Sequence, residues 1–471
     1  MQTWSGGDQG IKERPNFKPP GLSSEARKLR SEVIPLKMTA LSMPTRSREE
    51  KQAKVDQLRV LYEKVEAYEI LLEEERLEAA LRAHEEKYPR PTKECPLCLG
   101  DIQYTISVHE MLAFNCCSNA ICADCSSGMK EKTKNEKCPM CRSHHTEWGS
   151  IANTKKAAEK GDNSARVQLA CAYSSGTHGL KRNEEKSLEL LQLAADDGFA
   201  GALYNLASFY YCGGNVDPTS VNAVKGIKLF RQAAELGCEN SIGELALSFF
   251  RFNDGFNGPE SIEAMEYLTL FMASQKRRLA AGKRMASEKV PLMAHFMGML
   301  FSGTRGLDPV AYGVAKNLYL AKHYLEIAVH LGREEVYYDL GDIIEDIWLQ
   351  QYSSEKLLNY PGACAKPKMV FWAKKAAASG DDRGVAFVQR VHDKVQDHCN
   401  HCGMPASGAS KPLMKCGRCS MSYYCSKECQ TKFWHAGHKY DCYHEKKARN
   451  LLGLKNMTPT AEINPFSGSK Y

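Results

Sequence analysis

The chain has 471 residues, of which 43% are hydrophobic and 25% are charged, and its formal net charge is +7 at pH 7. This length exceeds one ordinary hydrophobic core, so we expect several folded units. No run of about 18 apolar residues occurs, and the start of the chain lacks the apolar core of a secretory signal. These features argue against a membrane protein and predict a cytoplasmic or nuclear location. Because no basic stripe with interleaved aromatic residues accompanies the positive charge, direct nucleic-acid binding is not expected.

The first 90 residues differ in composition from the rest. Residues 1–48 are rich in Pro, Ser and Gly and lack periodicity, which predicts disorder. Residues 49–90 hold many strong helix formers, which predicts one long charged helix. Its apolar positions, interrupted by Glu75, follow a heptad seam made of Leu58, Leu61, Val65, Tyr68, Leu72 and Ala79. Two interpretations stay open, namely dimerisation through a coiled coil and docking on the neighbouring zinc domain.

Fifteen of the 19 cysteines lie in two short clusters, Cys95 to Cys141 and Cys399 to Cys442. Two residues between paired cysteines let one tight turn direct two thiolates at one metal. Disulfides are disfavoured in the cytosol and nucleus, which favours metal binding for these cysteines. With one histidine the clusters supply 16 donors, so we expect about four zinc ions per chain.

The first cluster, within residues 91–148, has the paired steps Cys95-x2-Cys98, Cys116-Cys117, Cys122-x2-Cys125 and Cys138-x2-Cys141. This series of pairs resembles the RING finger family, in which alternate pairs share a zinc ion in a cross-brace. The resemblance implies one zinc held by Cys95, Cys98, Cys122 and Cys125, and a second held by Cys116, Cys117, Cys138 and Cys141. The chain departs from the family at Asn119, where a histidine is common, and His109 is an alternative ligand.

Residues between these ligands resemble those of RING-type ubiquitin ligases. Leu97 and Pro139 match the family positions that touch the ubiquitin-conjugating enzyme, and Arg142 matches the basic residue that contacts the carried ubiquitin. The family implies that the covalent chemistry stays on the conjugating enzyme while the ligase supplies proximity and orientation. The tryptophan often found ahead of the last ligand pair is missing. A purely structural or scaffolding RING is the alternative.

Residues 150–397 repeat a phrase of two alanines, two variable residues and a glycine, in looser form towards the end. The phrase ends at Gly161, Gly198, Gly237, Gly332 and Gly380. With helical periodicity between the marks, the pattern resembles the Sel-one-like repeat, a relative of the tetratricopeptide repeat. This resemblance implies a solenoid of helical hairpins that binds other proteins, with each glycine capping a helix. Four single cysteines are expected to fill its core, namely Cys171, Cys212, Cys238 and Cys364.

The second cluster, residues 398–443, contains an aromatic-Cys-x3-Cys step at Tyr424 and a Trp-x3-His-x3-Cys ending at Trp434. These steps resemble the signature of the MYND finger family. The resemblance implies one zinc held by Cys399, Cys402, Cys425 and Cys429, and another held by Cys416, Cys419, His438 and Cys442. His401 and His435 are rival ligands that would break the paired spacing. MYND fingers bind proline-containing peptides, for which Gln430 and Trp434 are the expected contacts.

The predicted fold is mainly α, a helical-repeat solenoid flanked by two small cross-brace zinc domains, with a flexible tail over residues 444–471. No methyltransferase, hydrolase or phosphate-loop motif stands out. The leading hypothesis is a RING-type ubiquitin ligase that recruits a conjugating enzyme and selects protein substrates through the repeats and the MYND finger. The alternative is a non-enzymatic zinc-binding adaptor.

Overall fold

A computed structural model describes residues 23–89, 92–99, 101–103, 111–114, 119–122, 125, 138, 140–142, 151–212, 222–252, 261–280, 289–304, 307–353, 357, 360, 363–395, 398–406 and 412–451. The helices are α1 (Ser24–Ser42), α2 (Arg48–Lys87), α3 (Ile151–Glu159), α4 (Asn163–Ser175), α5 (Glu184–Asp196), α6 (Ala200–Cys212), α7 (Ala223–Glu235), α8 (Glu239–Phe252), α9 (Ser261–Ala280), α10 (Val290–Ser302), α11 (Leu318–His330), α12 (Tyr337–Tyr352), α13 (Lys366–Ala378), α14 (Asp382–Val395), α15 (Lys427–Phe433), α16 (Lys439–Asp441) and α17 (Glu445–Leu451). The strands are β1 (Thr92–Glu94), β2 (Asp101–Gln103), β3 (Met111–Phe114), β4 (Asn119–Cys122), β5 (Met414–Lys415) and β6 (Tyr423–Tyr424).

The chain divides into two compact units. One unit comprises Met1–Glu75 with Val290–Tyr471, and the other comprises Arg76–Lys289. Consecutive strands pair as three antiparallel two-stranded ribbons, β1 with β2, β3 with β4 and β5 with β6. All other regular structure among the described residues is helical, so the prediction of a mainly α fold built from helical repeats is confirmed.

The repeats are helical hairpins whose turns depend on glycine. The neighbouring helices α4, α5 and α6 share a core of Ala170, Leu191, Ala194, Ala202 and Leu206, in which small side chains let the helices approach closely. The five glycines that mark the repeats all have φ between 74° and 90°, the left-handed conformation that only glycine adopts without strain. The predicted helix-capping role of these glycines is therefore confirmed.

The single cysteines of the repeats differ in burial. Cys238 is buried, and the backbone amide of Ser241 donates a hydrogen bond of 3.2 Å to its thiol sulfur. Cys364 is half-buried, and Cys171 is exposed, so the prediction that all four fill the core is wrong for Cys171. The helix α4 turns its alanines inward and leaves that thiol on its outer side. The side chain of Cys212 lies outside the described residues.

The long helix α2 buries a stripe that differs from the predicted seam. The buried residues include Val55, Leu58, Leu61, Val65, Glu69, Glu73, Leu77 and Leu81, which recur mainly every four positions. A spacing of four follows the face of a helix packed against other helices of a globular core, whereas a coiled coil alternates steps of three and four. The predicted seam members Tyr68, Leu72 and Ala79 are only half-buried.

Within each unit, α2 makes contacts with helices of the repeats. In the unit that contains the carboxyl terminus, Glu66 pairs with Lys322, and Glu69 accepts a hydrogen bond of 2.8 Å from the side-chain amide of Asn317. In the other unit, Arg277 donates hydrogen bonds of 2.8 Å to both Glu78 and Glu85. The charges of this helix therefore serve intramolecular packing.

The prediction of disorder over residues 1–48 is wrong for the segment that forms α1. The hydroxyl of Ser23 caps the helix by accepting a hydrogen bond of 3.1 Å from the amide of Ala26. Ala26, Val33 and Ala40, spaced by seven, are buried on one side, and Glu32 forms an ion pair with Lys64 of α2. Three buried apolar residues are thus enough for this Pro- and Ser-containing segment to form a helix, because α2 provides a surface against which it packs. Among the described helices, none is long and apolar enough to cross a membrane.

Candidate metal centres

Three groups of four side chains bring their donor atoms together. They are Cys95, Cys98, Cys122 and Cys125, then Cys399, Cys402, Cys425 and Cys429, and then Cys416, Cys419, His438 and Cys442. Within each quartet the ligand atoms lie within 4.8 Å of one another. These are the groupings expected from the sequence, and in each MYND quartet the structure joins two pairs that are separated along the chain.

The distances between donors fit a tetrahedral zinc ion. With Zn–S bonds of about 2.3 Å, the edge of a regular tetrahedron of sulfurs is about 3.8 Å. The Sγ–Sγ distances are 3.7 Å for Cys98 and Cys122, and 3.6 Å for Cys402 and Cys425. In the third quartet the Cys419 Sγ and His438 Nε2 atoms are 3.7 Å apart. Since a disulfide would need about 2.05 Å, these are free thiols gathered as ligands of zinc.

Four Cys-x-x-Cys turns share one backbone design. In each turn, the backbone amide of the residue that follows the second cysteine donates a hydrogen bond to the carbonyl of the first cysteine. The bonds are Leu99 to Cys95 at 2.8 Å, Arg142 to Cys138 at 3.0 Å, Gly403 to Cys399 at 2.9 Å and Ser420 to Cys416 at 2.9 Å. All four donors have positive φ, between 55° and 76°. The turn at Cys138 and Cys141 therefore has the same conformation as the three turns that belong to described quartets.

Backbone amides stabilise the thiolates at the start of these turns. Burial raises the pKa of the Cys95 thiol, but amides that include those of Cys122 and Leu97 outweigh it and lower the pKa to about 6. Cys399 has the same arrangement, since burial opposes the amides of Cys402 and Cys425, which bring its pKa to about 6. Because zinc binds the thiolate, this environment favours metal binding near neutral pH.

The MYND quartets are held by a small helix and its kinked continuation. Ser426 caps α15 by accepting a hydrogen bond of 3.1 Å from the amide of Cys429, which fixes the second pair of the first quartet. After α15 the chain forms a π-helical segment over Trp434–His438, kinked at Gly437, which has φ of 128°. This kink directs the buried His438 towards Cys419. The core beneath is formed by Tyr424 and Phe433 packed on the ligand cysteines.

Several predicted residues stand apart from these quartets. Cys116, Cys117, His109 and Pro139 lie outside the described residues, so the predicted partners of Cys138 and Cys141 do too. Neither His401 nor His435 joins a quartet in the described part of the chain. The structure thus supports three zinc sites among the described residues, compared with about four expected.

The predicted partner contacts are accessible. Leu97, between the first two ligands, is 45% exposed, and Arg142 is exposed after the last one. Gln430 and Trp434, four residues apart on one side of the finger, are half-buried. The guanidinium carbon of Arg418 lies 5.0 Å from the centre of the Trp434 ring, so a cation borders the aromatic surface.

Sequence reasoning missed the attachment of this finger to the last repeat. Tyr443, only 5% exposed, packs edge-on against Phe371 of α13, with ring centres 5.1 Å apart. Glu445 forms an ion pair of 3.0 Å with Lys375 of the same helix. From α2, the guanidinium of Arg59 lies 3.8 Å from the centre of the Tyr440 ring. The aromatic residue directly after the last ligand, Cys442, was the available signal.

Comparison with known proteins agrees with two of the three predicted module types. Residues 399–442 match the MYND finger model, and residues 163–199, 200–238, 297–332 and 370–381 match the Sel1 repeat model. A search of curated proteins found no match.

Solved structures similar to this chain are bacterial Sel1-repeat proteins. A protective antigen of uropathogenic Escherichia coli with an SLR fold is 17% identical, with a TM-score of 0.33 over 64% of this chain. The chain spans 59% of the length of that antigen. A Sel1 repeat protein of Oxalobacter formigenes is 19% identical with a TM-score of 0.30, over 41% of this chain and 68% of its own. A Klebsiella pneumoniae protein is 20% identical with a TM-score of 0.26, and the match covers 51% of this chain and 98% of that protein. The two family models show that the chain combines Sel1 repeats with a zinc-binding MYND finger, both of which indicate protein–protein interaction.

Proposed function

We propose that this protein is a zinc-dependent adaptor that binds peptide segments of other proteins through its MYND finger. The observation that carries the proposal is the packing of Tyr443 on α13, which fixes the finger to a repeat. A finger held in this way presents Gln430 and Trp434 on a rigid support, which lowers the entropy lost on binding. Arg418 beside Trp434 adds a cationic border, which favours peptides that carry a carboxylate near the proline.

The test is selection of peptides on the full-length, zinc-loaded chain, followed by fluorescence anisotropy with the selected sequences. We expect proline-containing peptides, and a loss of affinity of at least about tenfold for Trp434→Ala because the aromatic side chain that anchors the peptide is removed. Thr431→Ala, on the exposed part of α15, is the matched control and should bind normally. Selection of peptides that bind Trp434→Ala as well as the unchanged chain would refute the proposal.

A second candidate function is ubiquitin ligation, which the exposed Leu97 and Arg142 favour. Support comes from the quartet at Cys95 and from the turn at Cys138, which has the same conformation as the other metal-binding turns. In this function Leu97 and Pro139 would contact the ubiquitin-conjugating enzyme, and Arg142 would contact the ubiquitin that it carries. The chain itself would supply proximity and orientation alone.

Reconstituted ubiquitination with a panel of conjugating enzymes tests this second function. Leu97→Ala should abolish the formation of ubiquitin chains. Leu193→Ala should not, although Leu193 of α5 is as exposed as Leu97, with 46% of its surface accessible. For Arg142, which has φ of 63°, asparagine is the better substitute because it tolerates this conformation while removing the charge. If protein of verified zinc content forms no ubiquitin chains with any conjugating enzyme of the panel, the adaptor remains as the function.

A further inference from the structure

A cavity of about 350 Å³ lies where α2, the last repeats and the MYND finger meet within one unit. Its size is at the lower end of the range of small-molecule sites. Apolar side chains of α12, among them Ile344, Ile347 and Trp348, form one wall. Neither the zinc quartets nor the predicted peptide surface at Gln430 and Trp434 takes part in it.

Four cations line this cavity, and two of them have no carboxylate partner among the described residues. Lys322 is paired with Glu66 and with Glu326, and Arg59 is paired with Asp56 at 3.1 Å. The other two are Lys368 and Lys447. The ammonium of Lys447 donates to the backbone carbonyls of Tyr440, at 2.7 Å, and Cys442, at 3.2 Å, so neutral dipoles hold it in place.

Lys368 has still less compensation. Among the described residues, its ammonium group makes a cation–π contact with the ring of Tyr443, whose centre is 5.9 Å from Nζ. Burial lowers its pKa, and the like charges of Lys322 and Lys447 lower it further, against smaller opposing effects of Asp441 and Glu66. An ammonium group in such surroundings gains stability from an anion placed within reach of its three donors.

We propose that this cavity binds a small organic anion. Its phosphate or carboxylate group would lie beside Lys368 and Lys447, and its apolar or aromatic body would lie against Ile344 and Ile347. Lysine is a point charge that suits either kind of anionic oxygen. Glu63, Glu66 and Asp441, which also line the cavity, limit the total negative charge that it accepts. Because α2, α13 and the finger all contribute to the wall, a ligand there would also strengthen their association.

Three probes of matched shape test the proposal on the full-length, zinc-loaded chain. Phenyl phosphate and benzoate carry the two kinds of anion, and benzamide is the neutral counterpart. Binding is measured by calorimetry and by the fluorescence of Trp348 in the cavity wall, using Trp348→Phe to assign the signal. We expect saturable binding of one molecule of phenyl phosphate or of benzoate per chain, with the stronger of the two identifying the anionic group, and no saturable binding of benzamide.

Variants of two lysines on α13 supply the control. Lys368→Met should weaken binding of the preferred probe by about tenfold or more, and Lys368→Arg, which keeps the charge, should retain most of it. Lys374→Met removes an exposed lysine of the same helix and should bind like the unchanged chain. Circular dichroism and zinc content verify the fold of each variant. No saturable binding of either anion, equal binding of benzamide, or undiminished binding by folded Lys368→Met would overturn the proposal.

Discussion

The hydroxyl of Tyr324 donates a hydrogen bond of 2.8 Å to the carboxylate of Glu73, and both residues are almost fully buried. The contact joins α2 to α11 across 251 positions of sequence. We predict that Tyr324→Phe, which removes only the hydroxyl, destabilises the unit by about 1.5 to 3 kcal/mol, since the buried carboxylate loses a donor. Urea denaturation followed by circular dichroism measures the loss. Tyr338→Phe, in a half-buried position of α12, is the control and should change stability little.

Glu69 gives a prediction for the pH dependence of stability. Burial raises its pKa, the hydrogen bond from Asn317 partly opposes this, and the charge of Glu73 raises it again. A carboxyl group whose pKa is higher in the folded state binds its proton more tightly there. Its contribution to stability therefore falls as the pH rises from the unfolded pKa, near 4.5, through the folded value.

Glu69→Gln removes this titration while its carbonyl can still accept from Asn317. We expect the melting temperature to rise by about 2 °C at pH 7 and to decline less between acidic and neutral pH. Differential scanning calorimetry across that range makes the comparison. The matched variant Glu63→Gln, exposed on the same helix, should follow the unchanged chain. A lower melting temperature for Glu69→Gln at pH 7 would show that the charge itself stabilises the packing.

The quartets predict the zinc content. Elemental analysis should give at least three zinc ions per chain, one for each described quartet. Cys429→Ser should lower the content by one and loosen the finger, because thiolate binding contributes much of the folding free energy of so small a domain. Cys171→Ser changes an exposed thiol outside the quartets and should leave the content unchanged. Fewer than three ions in the unchanged chain would contradict the assignment.

Close packing of the last hairpin gives a prediction for Gly384 of α14. A Cβ atom added there would lie 2.7 Å from the backbone nitrogen of Ala377 and 2.8 Å from the carbonyl oxygen of Ala373. Because backbone atoms cannot move aside cheaply, Gly384→Ala should destabilise the hairpin by about 1 to 3 kcal/mol. Gly417→Ala, where nothing lies within 4 Å of the new atom, is the control for thermal denaturation.

The sequence predicted the zinc quartets better than the helical packing, for a physical reason. Ligand pairs such as Cys399 and Cys402 are set by one local turn, and the MYND resemblance indicated which pairs combine. In α2, by contrast, Glu69 and Glu73 are polar residues that the hydrophobic pattern assigns to solvent. Their burial depends on Asn317 and Tyr324, which lie about 250 positions away. A pattern within a single helix contains no information about such partners.

The same limit explains two other differences. The segment of α1 has too few apolar residues to fold by itself, and its helix depends on contact with α2. The attachment of the MYND finger depends on Tyr443. Its partners Phe371 and Trp372 lie in the region that the sequence assigns to the repeats, not to the finger. The glycine positions were predictable because a left-handed residue is a local requirement.

The packing of α2 on the repeats constrains how this protein can be dissected. A fragment that begins after the helix would uncover the apolar side chains beneath Leu58, Leu61 and Val65 and would deprive Lys322 of its Glu66 partner. Such a fragment would be prone to aggregate and to adhere to unrelated proteins, so partners captured on isolated repeats would include false ones. Binding experiments are best done on the whole chain, with single substitutions in place of deletions.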